Sequence, residues 1–197
     1  EPLVRLGSLF LGKYDSPSAQ TEFQKALASN PRHPGALFGL AAALEFDGSS
    51  EARNVLARLL DMNPNHVEAR AMRARQHLIR EGHAEAREEA EKALLVNPNS
   101  LSALTALAGV HLLEGDLADF RAVRSRALSL NPHYAALDAT LADLSVKTRR
   151  YVQAVARAEA AVQLDSASWE AWGLLGLNEL RLGQIEKGRA DLERAFA

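Results

Sequence analysis

Four Asn-Pro dipeptides, Asn30-Pro31, Asn63-Pro64, Asn97-Pro98 and Asn131-Pro132, punctuate the chain at intervals of 33, 34 and 34 residues. Asp165-Ser166 stands in the matching place another 34 residues on. A fixed period of this length marks a repeat architecture, in which one supersecondary unit is copied and neighbouring copies stack to bury a shared core. Proline lacks an amide hydrogen and clashes with the turn before it, so each boundary predicts a helix that stops just ahead of it.

Each period reads as two amphipathic helices. In the fourth, Leu104, Leu107, Ala108 and His111 recur at i, i+3, i+4 and i+7, the pattern of one apolar helix face over residues 100–113. Gly115-Asp116 interrupts it, and a second helix follows over 117–129. Six repeats are expected, at 1–33, 34–66, 67–100, 101–134, 135–168 and an unfinished 169–197, together one array over 1–197. In the first, Ser16-Pro17 supplies an N-cap and a favoured first helical residue; in the sixth, Gly183 makes the inter-helix turn. Small residues at Gly7, Ala41, Ala108, Ala142 and Gly176, and at Ala26, Ala93, Ala127, Ala161 and Ala195, let paired helices approach closely.

Two repeats depart from the pattern. The second is one residue short between Asp47-Gly48 and Ala52, which predicts a tightened turn. The third, aligned without gaps, would bury Arg70 and Arg73; sliding it by one residue buries Ala71, Ala74 and Leu78 instead. The slide is favoured because an unpaired buried guanidinium costs several kcal/mol, by order of magnitude, whereas one more loop residue costs little.

The chain resembles the tetratricopeptide repeat family, whose 34-residue unit carries Trp, Leu-Gly, Tyr, Ala, Phe, Ala and Pro at set places. The sixth repeat matches with Trp172, Leu175-Gly176, Gly183, Leu192 and Ala195. The first matches with Leu3, Leu6-Gly7, Phe10, Ala19, Phe23, Ala26 and Pro31. The resemblance implies an all-α fold, an α-solenoid of about six helix-turn-helix hairpins coiled as a right-handed superhelix with first helices lining its concave side. A fainter resemblance, through the segment from Asn131 to Phe196, is to bacterial repeat regions that precede a peptidase-like zinc domain.

Composition narrows the function classes. A net charge of −2 provides no global field for a polyanion, so nucleic acid is not expected as a partner. With no cysteine there is no disulfide, thiolate metal site or cysteine nucleophile. No apolar run approaches the roughly 20 residues that span a bilayer, so membrane insertion is not expected. The chain opens at Glu1-Pro2 without a leader pattern and closes on an unfinished repeat, which reads as an excised part of something longer and leaves localisation open.

The expected function is a non-catalytic interaction scaffold that holds an extended peptide or a partner's helix in the concave groove. Projecting the repeat places Phe38, Ala42, Glu45, Met72, Arg73, Gln76, Arg80, Thr105, Gly109, Asp143 and Lys147 on that groove. One subclass of the family clamps a peptide's terminal carboxylate with lysines and asparagines. Here the corresponding positions are Val4, Ser8 and Gly39, or Phe38 and Ala42 one repeat later, so that clamp is not expected. Arg70, Arg73, His77 and Arg80 form a basic stripe that could meet a carboxylate or phosphate, or could simply be solvated.

No cofactor and no metal site are expected. His77 and His111 stand 34 residues apart, but packed repeats are about 10 Å apart, too far for one ion to bridge. Glu85, Glu88, Glu89 and Glu91, and likewise Arg121, Arg124 and Arg126, read as outward faces of second helices, and Trp172 as core. The alternative is that the array positions substrate for a larger, peptidase-like enzyme. Self-association through the unfinished ends would give a homodimer.

Overall fold

The computed structural model describes residues 1–196, and among them it contains twelve helices. They are α1 (Pro2–Gly12), α2 (Ser16–Ser29), α3 (Pro34–Phe46), α4 (Glu51–Met62), α5 (Val67–Ile79), α6 (His83–Val96), α7 (Leu101–Glu114), α8 (Leu117–Leu130), α9 (Ala135–Lys147), α10 (Tyr151–Leu164), α11 (Trp169–Arg181) and α12 (Ile185–Ala195). Odd-numbered helices are the first of each pair and even-numbered helices the second.

Local chemistry explains where they stop. At each repeat boundary the Asn or Asp side chain closes its own turn: Oδ1 of Asn30, Asn63, Asn97, Asn131 and Asp165 accepts the backbone N–H two residues on, at 3.0–3.2 Å. The carboxamide or carboxylate is therefore the recurring device, which is why Asp165 works without a proline. Four of the first helices that follow begin on a side-chain cap, and only α9, behind Tyr134, does not. Ser100 and Ser168 accept from Ala103 and Ala171, and His33 and His66 accept through Nδ1 from Ala36 and Ala69.

Within hairpins the turn is made by one left-handed residue per repeat: Tyr14, Gly48, Glu81, Gly115, Arg149 and Gly183, all with φ between +61° and +83°. Only three of these are glycine, so the left-handed turn belongs to the repeat rather than to the residue type.

Two expectations are corrected. Asp15, not Ser16, caps α2 by accepting from Ser18 N–H at 3.1 Å; Ser16 is its first residue, buried, with its hydroxyl donating to the Ala43 carbonyl at 3.0 Å. The residue missing from the second repeat is taken from helix, not turn. α4 has 12 residues where α2, α6, α8 and α10 have 14. Its N-cap Ser50 makes no side-chain bond, and Ala52 and Arg53 reach back only three residues, to Ser49 and Ser50.

Packing divides the chain inside α5 into two compact units, Glu1–Arg73 and the residues from Ala74 onward. The first unit is built on Phe23, which is fully buried; Gly7 and Gly39 lie so close to its ring that a Cβ at either would overlap it. Around it α1 packs on α2 and α3, and α3 on α4. Ala71 is buried here, as the one-residue slide expects.

In the second unit α7 packs on α8 and α9, α9 on α10 and α11, and α11 on α12. Ala74, Leu78, Leu104, Leu137, Leu141, Ala142 and Ala158 are fully buried. α11 and α12 meet backbone to backbone: a Cβ on Gly176 would stand 2.6 Å from the Gly188 carbonyl oxygen, and one on Gly188 2.7 Å from that of Gly176. No helix among the described residues is long and apolar enough to cross a membrane.

Candidate functional site

The groove residues projected from the repeat fall partly in each unit. In the first, the half-buried Phe38 stacks on the His66 imidazole, with ring centroids 5.3 Å apart and planes inclined by 27°. Phe38 and Ala42 pack against the core and Glu45 is half-buried, whereas Met72 is buried. Arg73 is half-buried, and Arg70 Nε donates to the Pro64 carbonyl at 2.5 Å.

In the second unit Gln76 is half-buried and Arg80 exposed. Thr105 and Gly109 are buried; the Thr105 hydroxyl donates within its own helix to Leu101 O, and a Cβ on Gly109 would touch Leu78 and Leu144 at 3.0 Å. Met72, Thr105 and Gly109 therefore serve helix packing and present no surface to a ligand. Asp143 and Lys147 do face solvent, joined by a 2.7 Å ion pair across one turn of α9. Two repeats beyond Gly109 and one beyond Asp143 stands Leu177, on α11, 48% exposed, and one turn before it Gly173, whose Cβ position is open. Carrying the same 34-residue projection into the sixth repeat finds both.

A first helix holds a buried charge, gripped by arginines of the second helices on either side of it in the chain. Asp138, on α9, is completely buried and takes Arg124 of α8 on Oδ2 and Arg157 of α10 on Oδ1, at 2.6–3.1 Å. Arg157 also lies over the Phe120 ring, 5.1 Å from its centroid. A hollow of about 520 Å³ opens between α8 and α10, lined by Leu112, Phe120, Arg121, Arg124, Gln153 and Arg157 among others. Arg124 is thus not a solvated residue, and Arg126 reaches the Pro98 carbonyl at 2.5 Å. Asp138 sits 34 residues before Trp172, in the repeat's tryptophan position, so a carboxylate in a core register was the available signal. Trp172 itself is half-buried; its Nε1 donates to Ser166 O and Arg194 covers its ring.

A second anomaly follows the tyrosine position of the repeat, which holds His111, Ser145 and Glu179, all buried. Burial pushes the Glu179 carboxyl above its ordinary range, with the neighbouring Asp191 adding to the effect. Lys187 answers it, 2.6 Å from Glu179 Oε1 and 3.0 Å from Glu159 Oε1, and these carboxylates raise the lysine's own pKa. Of the acidic helix face, Glu88 pairs with Lys92 and Arg87 crosses to Glu114 at 2.5 Å, but Glu89 is buried rather than outward.

Paired helices, Asx-closed boundaries and a first-helix face carrying isolated polar and apolar side chains define the class of helical-hairpin repeat proteins. The family model described as tetratricopeptide repeat matches residues 4–49, 72–135 and 140–197, and the chain belongs to that family. No curated protein sequence matches it. Among solved structures it is similar to a tetratricopeptide repeat protein from Parabacteroides merdae, at 22% identity and a TM-score of 0.68, covering 98% of this chain and 76% of that one. A thermophilic repeat protein of Thermus thermophilus gives 21% identity and 0.71, covering 91% and 98%. PilF of Pseudomonas aeruginosa gives 18% and 0.64, covering 96% and 87%. These likenesses are of fold. Proteins of the family are generally scaffolds that bind protein partners.

Proposed function

We propose that this protein is a non-catalytic scaffold that holds an extended peptide or a partner's helix against its first helices. The observation that carries the reading is the open face of α9 and α11 in the second unit. There the half-exposed Asp143 and Lys147 stand in the repeat next to the exposed Leu177 and the uncovered Gly173. An apolar side chain beside a charged pair, on adjacent packed helices, offers a partner one buried anchor and a polar register mark. The arginines of the second helices favour a protein partner over nucleic acid, because Arg124, Arg126 and Arg157 are spent on Asp138 and on the Pro98 carbonyl.

The test is selection of displayed random peptides on the full chain, followed by affinity measurement on variants. Leu177→Glu and Asp143→Lys should each weaken the selected peptide at least about tenfold, the scale of one interface residue. Val152→Glu, on the exposed flank of α10, should leave it unchanged. Equal affinity across all three variants would move the binding surface elsewhere.

A further inference from the structure

His111 lies in the last turn of α7 with a side chain only 7% exposed, and its Nδ1 has no hydrogen-bond partner. Buried polar atoms are nearly always satisfied, so an orphaned imidazole nitrogen asks for an explanation. The turn that follows supplies two carboxylates. Gly115, at φ +83°, reverses the chain so that Asp116 N–H bonds back to the His111 carbonyl at 2.9 Å. Asp116 caps α8 through Oδ1, which accepts from Asp119 N–H at 3.2 Å, and its Oδ2 lies 3.8 Å from His111 Nδ1. Asp119 brings its own Oδ2 to 4.0 Å from the same nitrogen.

The three ligand atoms lie within 4.8 Å of one another. Separations of 3.8–4.0 Å are too long for hydrogen bonds. They are close to those of atoms sharing a cation, since bonds of about 2.1 Å at tetrahedral angles set ligands about 3.4 Å apart.

We propose that His111 Nδ1, Asp116 and Asp119 form a binding site for one divalent first-row transition-metal ion, zinc foremost, in the α7–α8 turn. One imidazole and two carboxylates are a borderline donor set. It lacks the thiolates that select copper(I) and has too few oxygens for calcium. The ion's charge balances the two carboxylates. The carboxylate side chains are 44% and 63% exposed, so the ion enters from solvent and keeps open positions for water or for a partner's side chain. His-x₄-Asp-x₂-Asp straddles a helix, a glycine turn and a helix cap, so it matches no helix-face metal pattern and runs against the expectation of no metal site. His77 plays no part.

The experiment titrates zinc chloride into the chelator-stripped full chain by isothermal calorimetry, with cobalt(II) absorption reporting coordination. One equivalent should bind. Asp119→Asn, an exposed change that leaves the fold intact by circular dichroism, should weaken binding at least about tenfold, the scale on which single ligand-shell changes act. Asp116→Asn, which keeps the helix cap, should do likewise, and His111→Gln should abolish the cobalt signal. His83→Gln and His133→Gln, at other turns, should change nothing. Absence of a one-equivalent transition, or one insensitive to Asp119→Asn and Asp116→Asn, overturns the site.

Discussion

The Arg124 guanidinium grips the fully buried carboxylate of Asp138 through two nitrogens, Nε at 2.9 Å and Nη2 at 2.6 Å. With Arg157 on the other oxygen, the carboxylate joins α8, α9 and α10 from a register that a large apolar residue normally fills. Asp138→Asn leaves both guanidiniums partly buried without a counter-charge and should destabilise the protein by about 3 kcal/mol, the scale of breaking a buried ion pair from one side. Urea unfolding measures the loss, and hydrogen exchange should place it in α8 to α10. A loss below about 0.5 kcal/mol, the range of ordinary surface substitutions, would contradict this account.

The left-handed turn residues give a paired prediction. Glu81 and Arg149 are exposed L-residues at φ +62° and +61°. Glu81→Gly and Arg149→Gly should each stabilise by about 1 kcal/mol, because glycine meets no Cβ clash there. Gly48 has the same backbone and open space around it, so Gly48→Ala should lose about as much from φ strain alone. In a chain of this length each change corresponds to about 2–4 °C in a thermal melt.

Two glycines of α11 should behave oppositely. At Gly176 a methyl group meets the backbone of α12, which cannot yield without separating the helices, so Gly176→Ala should cost about 1–3 kcal/mol. At Gly173 nothing lies near the added carbon, and Gly173→Ala should gain about 0.5–1 kcal/mol from helix propensity. Denaturant midpoints of the two variants on either side of the parent would bear this out; a shift of both in one direction would not.

Glu179 makes stability depend on pH. Burial raises its pKa above the ordinary 4.5, so the folded state keeps its proton to higher pH than the unfolded chain does. The associated stability is complete below 4.5 and is lost as pH rises through the folded value. Lys187, also raised, retains its contribution up to its ordinary 10.5 and loses it only above that. The unfolding free energy of the parent minus that of Glu179→Gln should therefore fall as pH is raised from 4 towards 8 in urea titrations. A difference that rises or stays flat would mean the carboxyl is not protonated preferentially in the fold.

The amino-acid sequence by itself determined the helices, because what sets their ends acts over a few residues. Asn30, Asn63, Asn97, Asn131 and Asp165 each close a turn with their own side chain. The family followed from spacing, since small residues such as Ala108 and Ala142 recur where helices touch. What only the tertiary structure decided is which side chains on those helices are covered. Met72, Thr105 and Gly109 project onto the first-helix face yet are buried, and Asp138 and Glu89 are buried where a helical wheel expects core or solvent. Burial of one helix face is set by neighbours far along the chain: Arg124 and Arg157 reach Asp138 from 14 and 19 residues away. The binding face was legible only in part for the same reason. Asp143 and Lys147 could be projected from the period, but the exposure of Leu177 depends on what α9 and α12 leave open around α11.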